Sequence, residues 1–194
     1  MKLVPIVEGH GEEAALPVLL RRLTSGRPVE IERPIRIPKG RLMQESELAR
    51  AIRLAALHAG PRDAILVMLD ADDDCAVTLA TQVLSRAEAA RPDRAIAVVV
   101  AVREFEAWFV AAASSLAATG KLRPDALPPE KPEAIGDPKG WLSERMTQPH
   151  RMNRRYSETI DQPSFAALFD LDAAQVCRSF KKLRREVERL TDRA

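Results

Sequence analysis

The sequence predicts an α/β fold built on a mainly parallel sheet with helices on both faces, and three observations carry that expectation. Two continuous apolar runs, residues 64–69 (AILVML) and 95–102 (AIAVVVAV), have the length and the lack of alternation of strands buried on both faces. A shorter run of the same kind, KLVPIV, stands at residues 2–7. Segments with helical periodicity lie between these runs, so strand and helix alternate over residues 1–119.

Each element has its own signal. In the first strand Pro5 requires a position where one backbone donor is not needed. The sequence EGHGEE follows, and Leu16, Leu19, Leu20 and Leu23 then recur at helical spacing over residues 14–23, with Gly26 as a stop. VEIERPIRI (29–37) alternates apolar and polar residues and suits an edge or half-exposed strand. Ser46 and Glu47 open a helix over 48–58, closed by Gly60 and Pro61. A third helix is expected over 77–90, ending near Pro92, and an Ala-rich helix follows REFEAWF to about Ala118.

Beyond Gly120 the texture changes. LRPDALPPEKPEAIGDPKGW carries five prolines and reads as an irregular connection, with a short helix starting around Lys139. From about Asp172 to Leu190 an apolar stripe of Val176, Phe180, Leu183, Val187 and Leu190 marks a helix whose stripe packs on the sheet. The expected organisation is an α/β core at 1–119 and a mostly helical extension at 120–194, joined in one compact domain.

The composition suits a globular chain of this kind. Apolar residues make up 46% and charged residues 30% of 194, and the net charge of +2 is too small to declare a nucleic-acid partner. From Arg145 onward 11 Lys and Arg face 7 Asp and Glu, so a basic excess sits apart from the acidic clusters. Cys75 and Cys177 match no metal or redox spacing and are expected to be reduced thiols. The amino-terminal apolar run meets charge at Glu8, too soon for a signal peptide or a membrane span. A cytoplasmic protein with no membrane association is expected.

Two acidic stretches stand at two strand ends. AILVMLDADDD runs six apolar residues straight into a cluster of carboxylates, and Glu8 closes the first strand. Carboxylates this close raise one another's pKa unless a positive charge lies between them. In a parallel sheet both groups face the carboxyl edge, where ligands bind. Glu12 lies one helical turn beyond Glu8, and Asp72 two residues beyond Asp70. Gly9 and Gly11 supply freedom for positive φ and close approach in the intervening turn. Mg²⁺ and Mn²⁺ are hard cations that take oxygen ligands. Glu8, Asp70 and Asp72 form such a set, with Glu12 and Asp74 as second-metal or supporting groups. Singly, each of these carboxylates suits a helix cap or a solvated loop equally well. His10, His58 and His150 are scattered and make no zinc site.

Glu8, Gly9 and Glu12 after the first strand, then Asp70 and Asp72 after a hydrophobic strand, resemble the Toprim domain of topoisomerases, bacterial-type primases and overcoming-lysogenization-defect nucleases. REFEAWF (103–109), DPKGWL (137–142) and SFKKL (179–183) are similar to a Toprim-like domain-of-unknown-function family (family 4276), over nearly the whole chain. The resemblance implies a Rossmann-like Toprim fold, Mg²⁺ or Mn²⁺ as cofactor, and hydrolysis of phosphodiesters. It puts Glu8 in metal binding or general acid/base work and Asp70 and Asp72 on the metal; beside them Glu12 is a candidate catalytic group and Asp74 a candidate metal ligand. Topoisomerases also need a nucleophilic tyrosine in a separate domain. Tyr156 is the only tyrosine, and the chain has no room for a gate-forming domain. A nuclease acting on DNA or RNA is the best remaining expectation. Relatives in defence-type systems often work beside an ATPase, and the chain has no G-x-x-x-x-G-K-[ST] phosphate loop, so any ATPase function would have to come from a separate ATPase partner.

Further residues support this reading. Glu104 and Glu106 follow the fourth strand and reach the same edge, either to orient a ligand or to cap the next helix. Phe105, Trp108 and Phe109 suit the core better than a base-stacking platform. Lys139, Arg151, Arg154, Arg155 and Lys181 are the candidate phosphate or nucleic-acid contacts. A strand ending in D-x-D also serves glycosyltransferases, which give EGHGE no role, and phosphoaspartate hydrolases, whose D-x-D stands on an early strand and is followed by Thr or Val where this chain has Asp74. The serious alternative is a non-catalytic module that binds nucleic acid or a protein partner, expected if Glu8, Asp70 and Asp72 lie apart or a Lys or Arg neutralises them.

Overall fold

A computed structural model describes residues 1–147 and 155–192. In chain order the elements are β1 (Lys2–Val7), α1 (His10–Leu23), β2 (Glu30–Ile31), β3 (Ile35–Arg36), α2 (Lys39–Leu42) and α3 (Glu45–His58). There follow β4 (Ala64–Asp70), α4 (Ala76–Ala90), β5 (Ala95–Ala101), α5 (Ala107–Ala111), α6 (Ala113–Ala118), α7 (Pro138–Arg145), α8 (Glu158–Leu168) and α9 (Arg178–Thr191). The five strands form one parallel sheet in the order β2-β1-β4-β5, with β3 also pairing β1. This is a Rossmann-like α/β arrangement. Among the described residues no helix is long and apolar enough to cross a membrane.

The period of two along the central strands divides the core between the faces. Ala64, Leu66 and Met68 of β4 face the core that holds α1, α5, α8 and α9, while Ile65, Val67 and Leu69 face the one covered by α2, α3 and α4. Every residue of β4 is buried, which is why its sequence shows no polar alternation. The first of these cores runs from Leu3 to Leu190, so the carboxyl-terminal helices and the sheet share it. Arg189 of α9 donates from Nη2 to the Ile96 carbonyl of β5 at 2.9 Å.

β1 is an interior strand, and Pro5 fits it because its neighbour is interrupted there. The Leu3 and Val7 carbonyls accept from the amides of Glu32 and Ile37 at 3.0 and 2.8 Å. Pro5 shares their side of the strand and faces the gap at Pro34 between β2 and β3, where no donor is called for. The single edge strand expected over 29–37 is therefore two short strands broken by that proline.

Other boundaries differ for local reasons. The Ala-rich helix is split at Ala112 into α5 and α6. The carboxyl-terminal helix begins only at Arg178, after a separate 3₁₀ turn at Ala173–Val176, so Val176 is not part of its stripe and is 60% exposed. α8 was not expected from the sequence, because Pro163 stands inside it.

Candidate metal centre at the carboxyl edge of the sheet

The strands end where acidic side chains gather. Glu8 follows β1, Glu12 lies in the first turn of α1, and Asp70 is the last residue of β4. One carboxylate oxygen from each lies within 4.8 Å of the others. They line a cleft of about 80 Å³ together with Gly9, Gly11, Glu106, Lys139, Glu158 and Gln162. Five carboxyl groups thus face one ammonium.

Backbone amides hold the three acids in place. Glu8 Oε1 accepts from the Asp70 amide at 3.3 Å. Glu12 reaches back along α1, and its Oε2 accepts from the amides of Gly9 at 2.9 Å and Glu8 at 3.2 Å, as in one half of a capping box. Asp70 Oδ1 accepts from the Phe105 amide at 2.9 Å. Glu106 is completely buried, and its Oε1 accepts from Tyr156 Oη at 2.9 Å and Gln162 Nε2 at 3.2 Å. The second oxygens of Glu8 and Glu106 are buried and have no hydrogen-bond partner among the described residues.

Burial without enough positive charge raises the acids. Burial lifts Glu8 to about 6, against the opposing pull of the Asp70 amide and Lys39. Burial lifts Glu12 to about 8, with the Gly9 amide opposing and Glu8 and Glu106 adding to the rise. Glu106 is raised to about 7 by burial, while Lys139 and Tyr156 pull it down. Asp70 is held well above the usual carboxylate range by burial and by the neighbouring Glu12, Glu106 and Glu8. Two ionised carboxylates at such a separation repel by about 3 kcal/mol at an effective dielectric of ~20. Acids so placed favour protonation or a positive charge between them. An all-oxygen donor set with orphaned buried oxygens fits Mg²⁺ or Mn²⁺, and Glu8, Glu12 and Asp70 are the residues that would hold it.

Lys139 stands at the wall of the cleft. Asp137 caps α7 by accepting from the Gly140 amide at 2.7 Å, and Pro138 occupies the first turn, so DPKGW is a helix start that aims Lys139 inward. Its Nζ pairs with Glu104 at 2.9 Å and Glu158 at 2.6 Å. Burial pushes Lys139 down, but Glu106, Glu158 and Glu104 outweigh it and keep the ammonium charged.

The rest of the DADDD cluster turns away. Asp72 adopts a left-handed backbone at φ 52°, and its amide donates to the Arg103 carbonyl at 2.9 Å. Its carboxylate pairs with Lys39 Nζ at 2.7 Å; Asp74 lies 3.8 Å from the same ammonium, and Asp73 pairs with Arg103. The structure thus brings Glu8, Glu12, Asp70, Glu106 and Lys139 together and leaves Asp72 and Asp74 outside the cleft. Glu104 joins it through Lys139.

The glycines act differently from the expectation. Gly9 has φ −96°, an ordinary extended cap. Gly11 gives close approach to a helix and not to a ligand, since a Cβ there would meet Gln162 Oε1 at 2.1 Å and the Glu158 carbonyl at 2.9 Å. Arg155 and Lys181 are exposed and do not line the cleft, and Arg151 and Arg154 lie outside the described residues. Phe105, Trp108 and Phe109 are fully buried, and Trp108 Nε1 donates to Ser179 Oγ at 2.8 Å.

Glu158 and Gln162 were missed from the sequence. Their one signal is a helix start, Ser157 followed by Glu158 and Asp161, in front of Pro163. No curated protein and no solved structure matches the chain. The profile of a domain of unknown function, DUF4276, matches residues 7–188, and the chain belongs to that family.

Proposed function

We propose that this protein is a Toprim-like phosphodiester hydrolase dependent on Mg²⁺ or Mn²⁺ and acting on nucleic acid, beside a separate ATPase. The observation that carries the reading is the convergence of Glu8, Glu12 and Asp70 oxygens within 4.8 Å at the carboxyl edge of a parallel sheet. A bound divalent ion would neutralise phosphoryl oxygens and lower the pKa of an attacking water. The chain's own groups supply the rest. Glu8, raised to about 6, is poised to exchange a proton near neutrality. Lys139 offers an ammonium to a phosphate oxygen at the wall of the cleft, and Tyr156 and Gln162 fix Glu106 behind it.

A second reading, a non-catalytic module that binds nucleic acid or a protein, is favoured by the pairing of Lys39 with Asp72 and of Lys139 with Glu104 and Glu158. One experiment separates the two. Mn²⁺ is titrated calorimetrically into wild type and Asp70→Asn, and the same proteins are assayed on labelled single- and double-stranded DNA and RNA. Saturable binding and cleavage, both lost in the variant, support the hydrolase. Equally weak Mn²⁺ binding by both proteins would leave the binding module.

A further inference from the structure

α3 has two faces, and only one of them is used by the fold. Leu48, Ala51, Ile52, Ala55 and Ala56 pack onto the sheet. Arg50, Arg53, Leu54 and Leu57 recur at helical spacing on the outer side, where Leu54 is 42% and Leu57 80% exposed. With Arg91 at the end of α4, these residues line a shallow groove of about 520 Å³.

Charge at the rim is unbalanced. Arg53 has no ion-pair partner among the described residues. Arg50 reaches Glu47 only at 3.8 Å, and Glu47 is already held by Arg41. Arg91 pairs with Asp93 at 2.6 Å, and Arg94 shares that carboxylate at 3.3 Å. Arg50, Arg53 and Arg91 thus surround an apolar floor, and the two carboxylates that reach them, Glu47 and Asp93, are shared with Arg41 and Arg94.

This chemistry selects among occupants. A second copy docked face to face would set arginine against arginine. A nucleic acid would use the arginines and leave the leucines wet. An amphipathic helix with carboxylates beside its apolar stripe satisfies both. The position matters too. α3 ends at His58, just before β4 begins, and α4 ends just before β5 begins, so the groove lies at the edge of the sheet opposite Glu8 and Asp70. An occupant there leaves the carboxylate cleft open.

We infer that the α3–α4 groove is a docking site for an acidic amphipathic helix of a partner protein, with its apolar residues on Leu54 and Leu57 and its carboxylates on Arg50 and Arg53.

The test uses fluorescence anisotropy with the full chain. The probe is a synthetic helix-forming peptide with leucines at helical spacing and glutamates beside them; its controls are the same peptide with lysines for glutamates and a short DNA duplex. The acidic peptide is expected to bind saturably and more weakly as salt rises. Arg53→Glu and Leu57→Ser, both on exposed positions, should each weaken it about tenfold or more, while Asp70→Asn binds it as wild type does. Equal binding of acidic and basic peptides would overturn the inference. So would DNA binding that Arg53→Glu abolishes and Leu57→Ser leaves intact, or a dimer in sedimentation that Leu57→Ser dissociates.

Discussion

Glu8 Oε1 accepts a hydrogen bond from the backbone amide of Asp70 at 3.3 Å, tying the carboxyl ends of the neighbouring strands β1 and β4 together. Two residues further on, Asp72 pairs with Lys39 and does not line the cleft. The two aspartates of the D-x-D sequence should therefore respond differently. Asp70→Asn is expected to weaken Mn²⁺ binding about a hundredfold, the upper end of the loss seen when even a supporting partner is removed. Asp72→Asn, whose side chain is 58% exposed and already paired, should change it by less than about threefold. Calorimetric titration of both variants checks this, and equal losses would put Asp72 on the ion.

Stability without metal should fall as pH rises. An acid whose folded-state pKa lies above its unfolded value leaves the folded state with more bound protons, so stability declines through the interval between the two values. Glu8 is raised to about 6, Glu106 to about 7 and Glu12 to about 8, from an unfolded value of about 4.3. In EDTA the melting temperature is thus expected to drop by several degrees between about pH 5 and pH 8, since ~1 kcal/mol moves it by about 2–4 °C at this size. Glu12→Gln should flatten the profile. Saturating Mn²⁺ should remove the decline, because ligands bind it deprotonated. A flat wild-type profile in EDTA would mean that these acids titrate in the folded protein as they do in the unfolded chain.

What could be read in advance follows from how local each signal is. β4 and β5 are runs of buried apolar residues, and their sequence carries that information whole. One helical turn puts Glu12 beside Glu8, whereas the expectation for Asp72 beside Asp70 rests on an extended segment in which residues two apart lean the same way. The second expectation differs from the structure because φ at Asp72 is 52° and its amide donates to the Arg103 carbonyl, in the bend that follows β5 and far away in sequence. Glu158 and Gln162 come from a helix that packs against α1 across more than half the chain, and no spacing in the sequence encodes that contact.

Gly11 and Gly9 stand two residues apart and should differ sharply when replaced by alanine. A Cβ at Gly11 would lie 2.8 Å from Glu158 Cβ and 2.9 Å from its carbonyl, so α8 must move away from α1. Overpacking of this kind costs about 1–3 kcal/mol, and it displaces Glu158 and Gln162 from the cleft. At Gly9 the nearest atom would be Glu12 Oε2 at 3.4 Å, in an extended backbone that alanine accepts. Gly9→Ala should stay within about 0.5–1 kcal/mol of wild type. Urea midpoints at constant slope measure both, and similar midpoints would show that α1 and α8 have room to spare.

Tyr156 is the chain's only tyrosine, and its surroundings argue against a nucleophilic role. Burial and the nearby Glu106 raise the phenol well above its ordinary value, and its hydroxyl is spent on Glu106 Oε1. Its ring packs edge-on against Phe165 at 5.6 Å, a contact that phenylalanine would keep. Tyr156→Phe therefore removes one donor from a buried carboxyl and leaves it Gln162 alone, at a cost of about 1–3 kcal/mol. The pKa of Glu106 should rise further, because the hydroxyl is one of the groups holding it down. The variant is expected to melt lower yet to hydrolyse nucleic acid once loaded with Mn²⁺. Loss of hydrolysis with Mn²⁺ affinity intact would instead place the phenol in the chemistry, and the reading of Glu8 as the proton-exchanging group would fall with it.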